Sequence, residues 1–285
     1  MKRIEKIIVV GAGQMGSGIA QVAAQAGLGV VLNDVTSELA ERGLASITEN
    51  LDRSLAKGRL TEEERSAVLQ QITLSTSLEN AEDVDLAVEA AVESMDIKTK
   101  IFEELDRVTP GDAFLASNTS SLSITEIAAI TKRPGQVIGM HFMNPVPVMK
   151  LVEVIRGLQT EDDTYEAACD LVRRVDKTPV EVNDSPGFVV NRVLIPMINE
   201  AMYCVYEGVT TPAGVDKVMK LGANHPMGPL ALADFIGLDT CLAIMEVLYE
   251  GFGDSKYRPC PLLRKYVRAG WLGKKSGRGF YAYDQ

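Results

Sequence analysis

Histidine and tryptophan are scarce here, two and one in 285 residues, and no two of the four cysteines (Cys169, Cys204, Cys241, Cys260) stand in C-x-x-C spacing. Without a thiol pair at ligand spacing, and with so little imidazole, no metal site is expected. Sparse cysteine also fits a reducing compartment. Positive charge is in deficit as well: 29 Lys and Arg stand against 39 Asp and Glu, a net of −10. Nucleic-acid binding depends on clustered positive charge, so no such partner is expected. The apolar stretch near the N-terminus, Ile7 to Val10, is too short to span a membrane and lacks a signal peptide's cleavage site. The expectation is a soluble, cytoplasmic chain with no membrane partner. Gly (24) and Pro (12) are ordinary in number, which argues against wholesale disorder. At about 150 residues per domain the length suggests two domains, each able to hold a core without disulfides or metal.

Along the chain, Ile7-Ile8-Val9-Val10 reads as a strand buried on both faces, as in a parallel sheet. It runs into Gly11-Ala12-Gly13-Gln14-Met15-Gly16, after which Ile19, Val22, Ala23 and Ala26 mark an amphipathic helix stopped by Gly27. Val30 to Leu32 forms the next strand, ending at Asn33-Asp34. Residues 36–70 read as polar helices, an insertion without strand character. Strand patterns return at Val84–Val88, Phe114–Ala116, Val137–Met140, Leu151–Ile155 and Val180–Val182, with helices between the first three. This alternation predicts an α/β fold: a Rossmann-type doubly wound sheet over residues 1–184. The turn cluster Asn183 to Gly187 marks the boundary, and residues 185–285 read as an all-α domain. Its helices are expected at 188–207 with Pro196 inside, at 212–221 behind a threonine cap, and at 230–250.

The glycine turn follows a strand, opens a helix and is answered by Asp34 at the end of the second strand. In that context Gly11 permits the tight turn, Gly13 lets the backbone approach a pyrophosphate, and Gly16 lets helix and strand pack closely. The helix N-terminus, at Gln14 and Met15, offers N–H groups to phosphates. Asp34 can accept from ribose hydroxyls and would repel a 2′-phosphate, which favours NAD over NADP.

His141 closes the strand Val137–Met140, at the end of an open α/β sheet where ligands bind. Glu153 lies inside the apolar run Leu151–Ile155, where a carboxylate is costly without a partner. A His–Glu pair would let imidazole take a hydroxyl proton while the carboxylate orients the ring. Ser117-Asn118-Thr119-Ser120-Ser121 follows another strand and can hold a substrate carbonyl or a nicotinamide. Ser121 or Ser123 is equally suited to capping the following helix. His225, in a loop dense with turn residues, reads as structural. Arg53, Lys57 and Arg59 form a basic island that suits a phosphate-rich handle or, equally, a solvated helix face.

These residues together resemble the short-chain L-3-hydroxyacyl-CoA dehydrogenases across nearly the whole chain. The likeness rests on Gly11 to Gln21, Ser117 to Ser121, Gly139 to Pro145 and Pro186 to Arg192. Gly270 to Gly273 and Ser276 to Tyr281 add to it. Among family members, those acting on the four-carbon substrate are most similar. The resemblance implies NAD-linked interconversion of (S)-3-hydroxybutyryl-CoA and acetoacetyl-CoA. It further implies His141 as the base, Glu153 as its partner, and Ser120 and Asn191 positioning the substrate's 3-oxygen. Asp34, Glu93, Lys98 and Asn118 would lie along the cofactor, Arg53 and Lys57 would meet the coenzyme A handle, and the helical domain would form a homodimer. The residues by themselves do not prefer Ser120 over Ser117, nor include Asn191. Arg53 stands where lysine is common, which keeps the charge, and Asn50 where some members have serine. Two other readings fit less of the sequence: a dehydrogenase of a small free hydroxy acid, for which the basic island would be idle, and a non-catalytic NAD-binding member, which would not need to bury Glu153.

Overall fold

A short apolar run becomes a strand when both its faces can be covered, and Ile7 to Val10 are all buried. The computed structural model describes residues 3–283. The chain divides into two compact units, Met1–Ser185 and Pro186–Gln285.

The first unit holds strands β1 (Lys6–Val10), β2 (Gly29–Asn33), β3 (Ile72–Ser75), β4 (Leu86–Glu89), β5 (Phe114–Ser117), β6 (Val137–Phe142), β7 (Leu151–Arg156) and β8 (Thr178–Asn183). They form one 8-stranded sheet in the order β3-β2-β1-β4-β5-β6-β7-β8. Strands β1 to β6 run parallel, β7 is antiparallel to β6, and β8 is parallel to β7. The first six follow the doubly wound dinucleotide-binding order, whose ligand crevice lies at the carboxyl ends of the strands. Reversal at β7 brings the amino ends of β7 and β8 to that same edge. Helices α1 (Gln14–Gln25), α2 (Ser37–Ala56), α3 (Glu62–Gln70), α4 (Met95–Val108), α5 (Ile124–Ile130) and α6 (Asp162–Arg174) complete the unit.

The insertion expected at 36–70 is α2 and α3, with Thr36 and Thr61 capping them through their side chains. It ends in a strand the sequence did not suggest: β3 pairs parallel with β2 at the sheet edge. β3 is brief and partly exposed, so it carries little of the apolar signature of the central strands. Strand β6 also runs on through Phe142, so His141 lies within the ladder rather than at its end, opposite Glu153 of β7.

The second unit is helical: α7 (Val190–Tyr206), α8 (Pro212–Gly222), α9 (Pro229–Ile236), α10 (Leu238–Phe252) and α11 (Pro261–Arg268). Pro196 lies inside α7, and the Thr211 side chain caps α8. The single helix expected at 230–250 is two, broken at Gly237, whose φ of 106° no helix continues through. Ile195, Ile198, Met202, Leu230, Leu238, Met245 and Leu248 form its core. Asp234 is 1% exposed and accepts from the Phe280 and Tyr281 N–H groups and from the Tyr283 hydroxyl, tying the C-terminal segment to α9. Among the described residues no helix is long and apolar enough to cross a membrane.

Candidate active site

The turn after β1 has the shape a pyrophosphate needs. Gly11 takes φ 102°, and a Cβ there would lie 2.7 Å from the Ala90 carbonyl oxygen. A Cβ on Gly16 would come within 1.7 Å of the Gly11 carbonyl oxygen, so only glycine lets α1 sit this close to its turn. At Gly13, by contrast, a Cβ would meet nothing within 4 Å: the backbone there faces open space. Helix α1 starts at Gln14 and Met15 with no side-chain cap and no acidic residue in its first turn. Uncapped N–H groups and a positive dipole end are what a diphosphate requires. Asp34 braces this turn. Its Oδ2 accepts from Ala12 N at 2.8 Å and its Oδ1 from Val35 N at 2.7 Å. A carboxylate has about four acceptor sites, so capacity for ribose hydroxyls remains. The residues present therefore fit NAD.

One strand-spacing along the same edge, a buried charge network joins β4 to β5. Glu89 is 0% exposed; its carboxylate accepts from Lys98 Nζ at 2.7 and 2.8 Å, from Ala91 N at 2.7 Å and from Ser117 Oγ at 2.6 Å. Lys98 is thus turned into the protein, and its ammonium also lies 3.4 Å from Glu93 Oε2. Sequence reasoning missed Glu89, although a carboxylate closing the apolar run Leu86-Ala87-Val88 poses the same question as Glu153.

Glu93 organises the loop after β5. Its Oε1 accepts from the Thr119 hydroxyl, from Ser120 N at 2.9 Å and from Ser121 Oγ at 3.0 Å. Burial alone would raise its pKa, but Lys98 and these donors outweigh burial and hold the carboxyl below its ordinary value. The cap of α5 is Ser123, which accepts from Glu126 N. Asn118 Oδ1 accepts from Phe142 N at 3.0 Å, tying this loop to β6 one residue beyond His141.

His141 and Glu153 face each other across the antiparallel pair, with Nδ1 2.7 Å from Glu153 Oε2. Because a carboxylate only accepts, Nδ1 carries the hydrogen, and Nε2 is left as the nitrogen able to take a proton. Glu153 is 1% exposed, so the pairing answers the cost of burying it.

The structure gathers Gly11, Gly13, Gln14, Met15, Gly16, Asp34, Glu93, Lys98, Asn118, Ser120, His141 and Glu153 at the carboxyl edge of one sheet. Arg53 and Lys57 lie elsewhere, exposed at the end of α2, where Arg53 pairs with Glu49. Asn191 belongs to the second unit, in the first turn of α7.

Comparison with known proteins identifies the arrangement. The NAD binding domain of 3-hydroxyacyl-CoA dehydrogenase matches residues 6–185, and the C-terminal domain of 3-hydroxyacyl-CoA dehydrogenase matches residues 187–283. The chain belongs to the 3-hydroxyacyl-CoA dehydrogenase family. It is an NAD-dependent enzyme of that family. A probable 3-hydroxybutyryl-CoA dehydrogenase of Bacillus subtilis is 65% identical over 282 residues, covering 99% of this chain and 98% of that protein. The 3-hydroxybutyryl-CoA dehydrogenase of Bradyrhizobium diazoefficiens is 56% identical, with 98% and 96% covered. Among solved structures, (S)-3-hydroxybutyryl-CoA dehydrogenase from Ralstonia eutropha superposes with a TM-score of 0.97 at 51% identity, covering 99% of this chain and 100% of that one.

Proposed function

We propose that this 3-hydroxyacyl-CoA dehydrogenase interconverts (S)-3-hydroxybutyryl-CoA and acetoacetyl-CoA, in the cytoplasm, as a homodimer built through its helical domain, residues 185–285. Residues 1–184 bind NAD, and the helical domain contributes Asn191 to the substrate. The observation that carries the reading is the buried His141–Glu153 pair, set at the edge of the sheet that also bears the glycine turn.

Bound NAD supplies a hydride acceptor at its nicotinamide. The protein's share is acid–base work and positioning. His141 Nε2 takes the proton of the 3-hydroxyl as C3 loses its hydride, and returns it in the reverse direction. Glu153 keeps the ring in the tautomer that makes Nε2 basic and stabilises the imidazolium. Ser120 and Asn191 hold the 3-oxygen, and Asn118 orients the cofactor alongside Asp34. Glu93 acts on the loop bearing Ser120, with Lys98 as its counter-charge. Arg53 and Lys57 meet the phosphates of coenzyme A, supported by their exposure on α2 in a chain of net charge −10.

The test is His141→Ala. Turnover of (S)-3-hydroxybutyryl-CoA should fall by about 10²–10⁴-fold, the range for loss of a general base. NAD affinity should stay near that of the wild type. Parallel loss of both in a folded variant would refute the assignment.

A further inference from the structure

The path from His141 to Glu153 runs through the loop 143–150, which joins β6 to β7 at the crevice edge. That loop is pinned at its start, where Phe142 N donates to Asn118 Oδ1 at 3.0 Å. Midway, Val146 is buried against Gly18 of α1, so closely that a Cβ on Gly18 would stand 2.7 Å from Val146 Cβ. The third fixture is a lysine that the chemistry above does not use. Helix α6 ends, Asp176 takes the left-handed conformation at φ 58°, and the chain turns into β8 with Lys177 at its threshold. The Lys177 side chain is buried, and its ammonium donates to Val146 O at 2.6 Å and to Met149 O at 2.7 Å.

We propose that Lys177 is a positioning residue for hydride transfer: by holding two carbonyls of the loop 143–150 it sets the His141–Glu153 pair in register with the cofactor helix α1. Three features carry this. A buried ammonium is an expensive way to satisfy two backbone carbonyls, and burial, followed by Lys150, lowers its pKa. The neighbouring Asp176 carboxylate is turned to Lys150 on the surface, so Lys177 is directed to the loop rather than to an ion pair. Finally, because β7 and β8 are reversed relative to β6, the amino end of β8 lies at the crevice edge, where a fixture can act on the site. The same loop touches α1, so a shift in it moves the base relative to a cofactor seated on the glycine turn. The glycine turn itself is far less dependent on Lys177, since Asp34 and the α1 backbone brace it.

The variants are Lys177→Met, which keeps the stem and removes the donors, and Lys177→Arg, which restores two or more donors. For each, NAD-binding sites are counted by equilibrium titration, and kcat for oxidation of a 3-hydroxyacyl-CoA is expressed per site. A purely structural role lowers the number of sites; a positioning role lowers the rate at each one. Lys177→Met should lose about 10–100-fold in kcat per site, the cost of a misplacement of about 1 Å, with NAD affinity within about twofold of the wild type. Lys177→Arg should recover most of that loss. Hydrogen exchange at Val148 and Met149, whose N–H groups donate to Pro145 O, should quicken in Lys177→Met while α1 is unchanged. Wild-type kcat per site in Lys177→Met, or an arginine variant no better than methionine, overturns the proposal. If the methionine variant does not fold, Lys177→Gln carries the same test, because its amide can still serve one carbonyl: intermediate kcat per site supports the role, and unchanged kcat per site overturns it.

Discussion

Replacing Lys98 by methionine would leave the Glu89 carboxylate, 0% exposed, without its cation. Breaking a buried ion pair by removing one partner costs about 3–5 kcal/mol, because the remaining charge is desolvated and uncompensated. Two donors stay with Glu89: Ala91 N at 2.7 Å and Ser117 Oγ at 2.6 Å. Hydrogen bonds to a charged group soften the loss, so the lower end, about 3 kcal/mol, is expected. At about 2–4 °C per kcal/mol for a unit of this size, thermal unfolding should move down by about 6–12 °C. Adding Glu89→Gln to Lys98→Met should recover much of this, since a glutamine still accepts from Ala91 N and needs no cation. Urea unfolding of wild type, both singles and the double closes the cycle. A Lys98→Met protein within about 1 kcal/mol of wild type, or a double variant no more stable than that single, would refute the reasoning.

Other consequences are as direct. Asp34→Ala should raise the KM for NAD far more than it changes kcat, read from steady-state kinetics at saturating acyl-CoA. Gly16→Ala cannot be accommodated, because the new Cβ would meet the Gly11 carbonyl oxygen at 1.7 Å; NAD titration should find the site lost. Glu93 holds its proton less tightly in the folded protein than the ordinary value of 4.5. The unfolded chain therefore binds that proton first, and Glu93's contribution to stability, present above pH 4.5, is lost as pH falls through the folded value. Glu93→Gln should flatten that part of the acid denaturation curve. Neutralising Arg53 and Lys57 together should raise the KM for a coenzyme A thioester and leave NAD affinity unchanged.

Much of the sheet was legible because a strand covered on both faces must be apolar, as Ile7–Val10 is throughout and Leu151–Ile155 is at every position but Glu153. β3 escaped because Ile72-Thr73-Leu74-Ser75 lies at the edge, half-exposed, and alternates too briefly to register. The split between α9 and α10 escaped because apolar spacing continues across Gly237, and an isolated glycine in a helical pattern is often tolerated. Within the site, Glu153 declared a need for a partner by its apolar neighbours, and the register of β6 on β7 supplies His141. Glu89 made the same demand less audibly. It is the last residue of β4, where a carboxylate can ordinarily reach water, and its partner Lys98 sits on the amphipathic helix α4, where lysine is commonplace. Lys177 follows a helix end and looks like any surface lysine until the fold turns it toward the loop 143–150.

The central claim is that NAD chemistry and a coenzyme A thioester meet at this site. It is tested most directly by following nicotinamide absorbance with acetoacetyl-CoA, using NADH and then NADPH, and repeating with free acetoacetate. Rapid oxidation of NADH, slow oxidation of NADPH and dependence on the thioester are the predicted result. Equal turnover of free acetoacetate, or no turnover of either substrate, would contradict it.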